Sequence, residues 1–182
     1  MVSGGHPPAA RLASEESEAY SGPQWVLVAP GGRLFLATDG PRFTGRTEHT
    51  LDDKGRLVVP SRFRERLGGG FFTTIAQPDP CLALYPSEYW NEIVGRINDA
   101  PQKDARFRTY VRYLFAHTEE SNVDTNGRLM IPPHLRAWAG LDKDAVLIGS
   151  MRRVEVWAKD RYERHVRERG ELPDFTSELG LF

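Results

Sequence analysis

Two short segments of the chain carry an aspartate and an arginine four residues apart, with a glycine directly before the arginine. They read DDKGR at residues 52–56 and DTNGR at residues 124–128. A guanidinium group presents a planar fork of N–H donors, which fits a carboxylate, a phosphate or the O6 and N7 edge of guanine. Because glycine has no Cβ, the backbone at Gly55 and Gly127 can approach an anion closely. The pattern therefore favours recognition of anionic or base-edge acceptors.

The same pattern also has a purely structural explanation. An aspartate side chain accepts nearby backbone N–H groups, glycine adopts a positive φ, and the arginine then begins the next strand. A single turn of this kind is most often structural. Repetition at one spacing favours a shared function, because a hairpin requires its glycine but does not require an Asp–Arg pair in both places.

The local charge supports the functional interpretation. Between Arg42 and Gly68 there are seven basic and four acidic residues, although the whole chain has a formal net charge of -1. A basic segment in a near-neutral chain favours an anionic partner, and double-stranded DNA offers both phosphates and guanine edges. The residues that we predict to bind DNA are Arg56, Lys54, Gly55, Arg128, Asn126, Gly127, Arg62 and Arg64.

These residues have different expected roles. Arg56 and Arg128 are predicted to project from their turns and to read or anchor base edges. Lys54 would approach phosphates, whereas Asn126, which replaces it in the second turn, would contact a base. Asp52 and Asp124 would be repelled by phosphates, so we expect them to hold the turn or orient the arginine. Arg62 and Arg64 would bind phosphate or form salt bridges within an oligomer.

The two turns belong to an internal duplication with a spacing of 72 residues. Each copy predicts a strand, the turn, a second strand, a proline, a short helix ended by glycine, two more strands and a final helix. The positions identical in both copies are Asp52, Gly55, Arg56, Leu57, Pro60, Arg64 and Gly68, which match Asp124, Gly127, Arg128, Leu129, Pro132, Arg136 and Gly140.

The duplication sets the expected domain layout. Residues 42–98 form the first repeat, residues 99–117 a connecting helix and residues 118–170 the second repeat, followed by a tail at residues 171–182. The helix carries an apolar stripe that we expect to pack the two copies together. Residues 1–41 are rich in Gly, Pro, Ala and Ser and are predicted to be poorly ordered, with a weak strand pair around residues 30–32 as an alternative.

Several classes of protein are disfavoured by the sequence. Cys81 is the single cysteine, so no intramolecular disulfide can form, and a reducing cytoplasm is the expected compartment. No stretch of eighteen apolar residues predicts a membrane helix. The histidines lack paired spacing for a metal, no nucleotide-binding glycine loop is present, and no catalytic constellation appears. We therefore expect no enzyme activity, no metal, no cofactor and no small-molecule substrate.

From Phe43 to the terminal SELGLF, the sequence closely resembles the MraZ family of bacterial transcriptional regulators. The resemblance rests on the run FTGRTEHTLDDKGRLVVPSRFR, on the second motif DTNGRLMIPPHLR, and on CLALYP, RVEVW and LFAH. It implies an α+β fold of the AbrB type: a swapped-hairpin β-barrel built from two internal repeats in one chain, with short helices outside. The resemblance also assigns the motif positions Asp52, Gly55 and Arg56 and their counterparts 72 residues on.

The family resemblance further implies a partner and a biological role. It predicts ring-shaped homo-oligomers in the cytoplasm, associated with the nucleoid. These rings would bind repeated promoter boxes in double-stranded DNA upstream of the division and cell-wall gene cluster and would repress it. Two features depart from the family. Thr44 stands where the family's opening motif commonly has a basic or apolar residue, and residues 1–41 precede the usual start of the family. This extension is expected to be either a true appendage or the product of a misassigned start codon.

A second hypothesis places the chain in a different functional class. An antitoxin-like or scaffold module of the same fold would bind a protein rather than DNA. Such a module would expose an apolar patch, whereas a DNA-binding protein would present both turns on one positive face. The positions of the two turns therefore distinguish the hypotheses.

Overall fold

The structure is a computed structural model that describes residues 26–28, 34–36, 42–101, 104–168 and 170. The chain divides into two compact units, residues 1–39 and residues 40–182. In the first unit, β1 (Val26–Val28) pairs with β2 (Leu34–Leu36) in antiparallel orientation. This pair corresponds to the alternative predicted around residues 30–32, whose turn lies outside the described residues. The rest of the predicted extension and the tail at residues 171–182 also lie outside them.

The second unit mixes antiparallel strands with helices, which confirms the predicted α+β class. Its elements are β3 (Arg46–Thr50), β4 (Arg56–Val58), α1 (Ser61–Leu67), β5 (Phe71–Ala76), β6 (Cys81–Pro86), α2 (Ser87–Asp99), α3 (Ala105–Ala116), β7 (Thr118–Ser121), β8 (Arg128–Met130), α4 (Pro133–Ala139), β9 (Asp144–Ser150), β10 (Arg153–Ala158) and α5 (Lys159–Glu168). The elements of the first copy recur in the second, in the same order, on either side of α3.

The two copies exchange strands. The main sheet has the order β3-β9-β10-β6-β5-β7, so the first strand of each copy pairs with a strand of the other copy. The second strands of the copies pair with each other as β4 and β8, with Leu57 opposite Leu129. Each copy thus completes the sheet of the other, which is the strand exchange implied by a swapped-hairpin fold.

The main sheet is not closed into a continuous barrel, which corrects the predicted architecture. It ends at β3 and β7, and these strands approach the β4–β8 pair through single bridges, Leu51 to Leu57 and Val123 to Leu129. The β4–β8 ladder cannot lengthen, because Pro60 closely follows β4, Pro132 closely follows β8, and proline has no N–H to donate. The result is a six-stranded sheet flanked by a two-stranded ribbon.

The hydrophobic core draws on the same positions of both copies. Leu57 and Leu129, at equivalent positions of the β4–β8 ribbon, are buried, as are Phe63 of α1 and its counterpart Leu135 of α4. Burial of one leucine or phenylalanine side chain contributes about 1.5–3 kcal/mol to stability. These side chains anchor the strands that carry the two turns.

Helix α3 packs less completely than its apolar stripe predicts. Leu114 is buried and Phe107 and Val111 are half-buried, but Tyr110 and Phe115 are 43% and 42% exposed. The Phe115 ring lies 5.9 Å from the Trp90 ring, which places it beside α2 of the first copy. The connecting helix therefore leaves part of its aromatic surface exposed to solvent.

The described ranges lack two kinds of feature. No helix there has the length and apolar character needed to cross a membrane. Within the same ranges, no three His, Cys, Asp or Glu side chains are grouped closely enough to hold a metal ion.

Cys81 provides a chemical test of the core. It is fully buried at the start of β6, and this burial raises the pKa of its thiol. Since the thiolate is the reactive form, we expect no reaction with a thiol-specific chromogenic reagent in the native state. Reaction should appear over the urea range in which the protein unfolds by circular dichroism. Rapid labelling without denaturant would contradict the buried placement.

Candidate nucleic-acid interface

The first turn is held by a set of hydrogen bonds centred on Asp52. Its Oδ1 accepts the backbone N–H groups of Lys54 and Arg56, both at 3.0 Å. Its Oδ2 accepts Nε of Arg56 at 2.7 Å and lies 2.6 Å from Nη2 of the same guanidinium. The backbone closes the turn, because Gly55 N–H donates to the Asp52 carbonyl at 2.8 Å. One carboxylate thus fixes both the turn and the arginine.

The second turn repeats this arrangement. Asp124 Oδ1 accepts the N–H groups of Asn126 and Arg128 at 2.9 Å, and its Oδ2 accepts Arg128 Nε at 2.9 Å. Gly127 N–H donates to the Asp124 carbonyl at 2.8 Å. The predicted role of the two aspartates in holding the turn and orienting the arginine agrees with this geometry.

The hydrogen bonds lower the pKa of both carboxyl groups. For Asp52, the side-chain hydrogen bond from Arg56 has the largest effect, followed by the Arg56 backbone N–H, and together they lower its pKa to about 2. For Asp124, the backbone N–H of Arg128 contributes most to a lowered pKa. The same Asp52 contact raises the pKa of Arg56. Both aspartates therefore remain ionised at neutral pH.

We expect the Asp52 carboxyl carbon to titrate with a midpoint near pH 2 in an NMR experiment. The folded-state pKa of Asp52 lies below the ordinary value of 3.8. The contribution of the ionised Asp52 carboxylate to the stability of the fold is therefore complete at pH values above 3.8. It is then lost as the pH falls from about 4 towards 2. In the Arg56→Ala variant the midpoint should move up towards the ordinary value. A wild-type midpoint near 4 would show that the Asp52–Arg56 contact is absent in solution.

The two turns lie side by side. Val59 N–H donates to the Gly127 carbonyl at 2.9 Å, and Ile131 N–H donates to the Gly55 carbonyl at 3.1 Å. The strand leaving each turn is thus bonded to the glycine of the other turn. The negative charge of Asp124 also raises the pKa of Arg56, which belongs to the opposite turn. We call residues 52–56 and 124–128 the paired turns.

The glycines of the paired turns are required by both conformation and space. Gly55 has a φ of 76° and Gly127 a φ of 74°, in the region that L-residues avoid. A Cβ at Gly55 would lie 2.6 Å from Cζ of Arg136, and one at Gly127 would lie 2.8 Å from Cζ of Arg64. An arginine from each short helix therefore covers the turn of the other copy.

The β4–β8 ribbon presents an outward face between the paired turns. Since alternate strand residues point to opposite sides, the burial of Leu57 and Leu129 places their neighbours on the outer face. Across the ribbon, Arg56 lies opposite Met130 and Val58 lies opposite Arg128. Val58 and Met130 are 40% and 51% exposed. Two arginines and two apolar side chains thus alternate on one surface, with twofold symmetry.

The structure places the sequence-predicted residues unequally. Arg56 and Arg128 do not project freely: their side chains are only 26% and 28% exposed, because charge-assisted hydrogen bonds hold each against its aspartate. Lys54 and Asn126 are exposed at the turns. Arg64 reaches the second turn. DNA contact by these side chains stays a prediction.

Arg62 is not part of the paired turns. Its Nη2 donates to the Arg46 carbonyl at 3.3 Å, beside the start of β3. Sequence reasoning missed Val58, Met130 and Arg136. Strand alternation around Leu57 and Leu129 could have indicated the first two, and the 72-residue register could have indicated Arg136, which matches Arg64.

Comparisons with known proteins give a consistent result. One family profile, described as "MraZ protein, putative antitoxin-like", matches residues 42–112 and 114–179. The chain is 42% identical over 126 residues to a protein of Moorella thermoacetica named Transcriptional regulator MraZ, which covers 69% of this chain and 87% of the relative. Proteins of the same name from Lachnoclostridium phytofermentans and Saccharopolyspora erythraea are 41% and 40% identical, over 76% of this chain and 98% and 90% of their own lengths.

Proposed function

Because the chain belongs to the MraZ family, we propose that it is a sequence-specific regulator of transcription that binds double-stranded DNA through the paired turns. The observation that carries this proposal is the position of the two turns. They come from opposite copies, yet lie side by side with the outward face of the β4–β8 ribbon between them. Such a ribbon has dimensions that fit the major groove of DNA.

The side chains of the ribbon supply both charged and apolar contacts. The guanidinium groups of Arg56 and Arg128 offer N–H donors for guanine, while Val58 and Met130 offer apolar surface for thymine methyl groups. The hydrogen bonds that Arg56 and Arg128 donate to Asp52 and Asp124 keep the two arginines in one orientation before DNA arrives, which reduces the entropy lost on binding. Reading of bases is thus assigned to the ribbon face.

The surroundings of the paired turns supply contacts to the DNA backbone. Five cationic side chains (Lys54, Arg56, Arg64, Arg128 and Arg136) lie there with three carboxylates (Asp52, Asp53 and Asp124), two of which pair with arginines. Lys54 carries an exposed charge that suits a phosphate.

A homo-oligomeric ring would strengthen the interaction. One protomer with a near-neutral total charge has few cationic groups for DNA, so it is expected to bind weakly on its own. When one protomer of a ring is bound to a box, the paired turns of the other protomers have a raised effective concentration at the neighbouring boxes. Repression of the division and cell-wall gene cluster, from promoter boxes on nucleoid DNA in the cytoplasm, completes the proposal and rests on family resemblance.

The alternative, an antitoxin-like or scaffold module, is favoured by one surface. Tyr110, Tyr113 and Phe115 of α3 are 43%, 38% and 42% exposed, and exposed aromatic side chains are common in protein-binding sites. A protein partner on α3 would leave the paired turns free. The two functions therefore use different residues and can be tested separately.

The test is binding of the full chain to DNA from upstream of its own gene. Binding is expected to be stronger than to a shuffled sequence of equal length, and to weaken steeply with salt because the release of counterions from DNA is less favourable at a higher salt concentration. Equal affinity for both DNAs would contradict sequence-specific reading. Absence of binding at low salt, together with capture of one defined protein through α3, would support the alternative.

A further inference from the structure

Four arginines outside the paired turns form a cluster at the beginning of the first repeat. We define the first-copy arginine cluster as Arg42, Arg46, Arg62 and Arg66. Arg62 Nη2 donates to the Arg46 carbonyl at 3.3 Å, and Arg66 Nη1 donates to the Arg42 carbonyl. Two arginines of α1 are thus hydrogen-bonded to the backbone of Arg42 and of Arg46, the first residue of β3.

Most of the charge in this cluster is not neutralised. Arg46 pairs with Glu48 at 2.5 Å, and Lys159 contacts the same carboxylate at 2.7 Å. In the part of the chain that the structure describes, Arg42, Arg62 and Arg66 form no ion pair with a carboxylate, and all four arginines are exposed. Like charges held together repel each other, so the arrangement favours a bound polyanion.

The equivalent place in the second copy has different chemistry. At 72 residues further on, the four arginines are replaced by Leu114, Thr118, His134 and Trp138. His134 lies 3.8 Å from Glu119, and Glu120 follows on the same strand. None of these four positions of the second copy carries a guanidinium group, and Glu119 adds a carboxylate at the position that matches Thr47. The two copies therefore differ most in charge at these flanks, whereas their turns are nearly alike.

We propose that the first-copy arginine cluster binds backbone phosphates of the DNA duplex beside the first turn, and so fixes the orientation of the DNA on the protomer. This inference rests on the proposed function. The paired turns alone have approximate twofold symmetry, so a duplex could bind them in either direction. Contacts on one flank only remove that ambiguity. Guanidinium groups suit the task because their forks match phosphate oxygens.

The distance from the cluster to the first turn fits the spacing of phosphates. Asp52 lies six positions after Arg46, and an extended strand rises about 3.3 Å per residue, which gives a span of at most roughly 20 Å. Phosphates follow each other at about 3.4 Å along one strand of the duplex. The chain from the cluster to the first turn is therefore no longer than about six base-pair steps of the duplex, so one duplex can contact both.

The experiment compares an Arg62→Gln and Arg66→Gln double variant with the wild type on one promoter box. We expect a weaker complex, with the loss largest at low salt. Each phosphate contact contributes about 0.9 to the slope of log K against log salt, so the slope should become shallower by about two. Hydroxyl-radical footprinting should show protected backbone beyond the box on one side in the wild type, and loss of that protection in the variant.

Two further variants serve as control and as a second test. His134→Gln changes the position equivalent to Arg62 and is expected to leave the slope and the footprint unchanged. Arg42→Gln tests the cluster if the double variant does not fold. No hydrogen bond or ion pair of the Arg42 side chain occurs among the described residues, and the slope should become shallower by about one.

Three outcomes would overturn the inference. An unchanged slope and footprint in Arg42→Gln and in the folded double variant would reject the cluster while leaving the proposed function intact. If native mass spectrometry shows that these variants have a different number of subunits from the wild type, the cluster joins copies of the chain instead. If the wild type does not bind its own promoter DNA, the proposed function fails, and this inference fails with it.

Discussion

Replacing Arg56 by alanine is expected to abolish specific retention of promoter DNA in a gel shift, while the oligomer stays intact. A good bidentate contact with guanine discriminates by about 1–3 kcal/mol, which corresponds to roughly 5- to 150-fold in affinity for each turn that is engaged. Several protomers that share one promoter multiply the loss. The fold should survive, because Arg56 is a partly exposed residue of a surface turn whose backbone hydrogen bonds do not need the guanidinium.

Arg96→Ala is the matched control for this variant. It removes one positive charge from an exposed arginine that pairs with Glu92 on α2. Its effect on affinity should be small and the same for promoter and shuffled DNA, since it changes only the overall charge. Arg56→Lys separates the two roles, because lysine keeps the charge but cannot make the bidentate contact. Promoter retention by Arg56→Ala at the wild-type level would remove Arg56 from the interface.

Gly55→Ala is expected to destabilise the fold by about 2 kcal/mol or more. A non-glycine residue in the left-handed region costs about 1–2 kcal/mol, and the added Cβ would also displace the Arg136 guanidinium, which lies 2.6 Å away. For a domain of this size the melting temperature should fall by roughly 5 °C. Circular dichroism against temperature measures the change, and DNA binding should weaken as well because the paired turns lose their geometry.

Gly95→Ala is the control, because, apart from its chain neighbours and the backbone of α2 itself, no atom of the described residues lies within 4 Å of its Cβ position. Alanine is favoured over glycine within a helix, so we expect a gain of about 0.5–1 kcal/mol. Combining Gly55→Ala with Arg136→Ala should recover the share of the lost stability that is due to the clash with Arg136. The share that is due to the positive φ at residue 55 should remain. A neutral Gly55→Ala variant would show that the turn has another conformation in solution.

The turn chemistry could be predicted from the sequence because it is local. Asp52 bonds to groups two and four positions further along the chain, and Asp124 does the same. The duplication then predicted that both copies fold alike, and the α+β class followed. The aspartates were also predicted to orient the arginines, which the geometry supports, and the same carboxylates leave the two arginine side chains only 26% and 28% exposed.

The arrangement of the two copies could not be predicted from local signals. Arg136 over Gly55 and Arg64 over Gly127 join residues more than sixty positions apart. The incomplete barrel is also a tertiary property, since it depends on how far two ladders extend. Likewise, the sequence pattern does not distinguish Arg62 from Arg64. Both belong to α1, but the Arg62 guanidinium contacts the start of β3 and the Arg64 guanidinium contacts the second turn.

The sequence by itself determined that this protein has two copies of one Asp–Gly–Arg turn, because each turn is closed by bonds within five residues. The tertiary structure alone decided that these turns lie together and share one outward ribbon, and that the flank of the first copy alone gathers four arginines. The physical reason is range: short-range hydrogen bonds are encoded residue by residue, whereas strand exchange is selected by burial of the whole core.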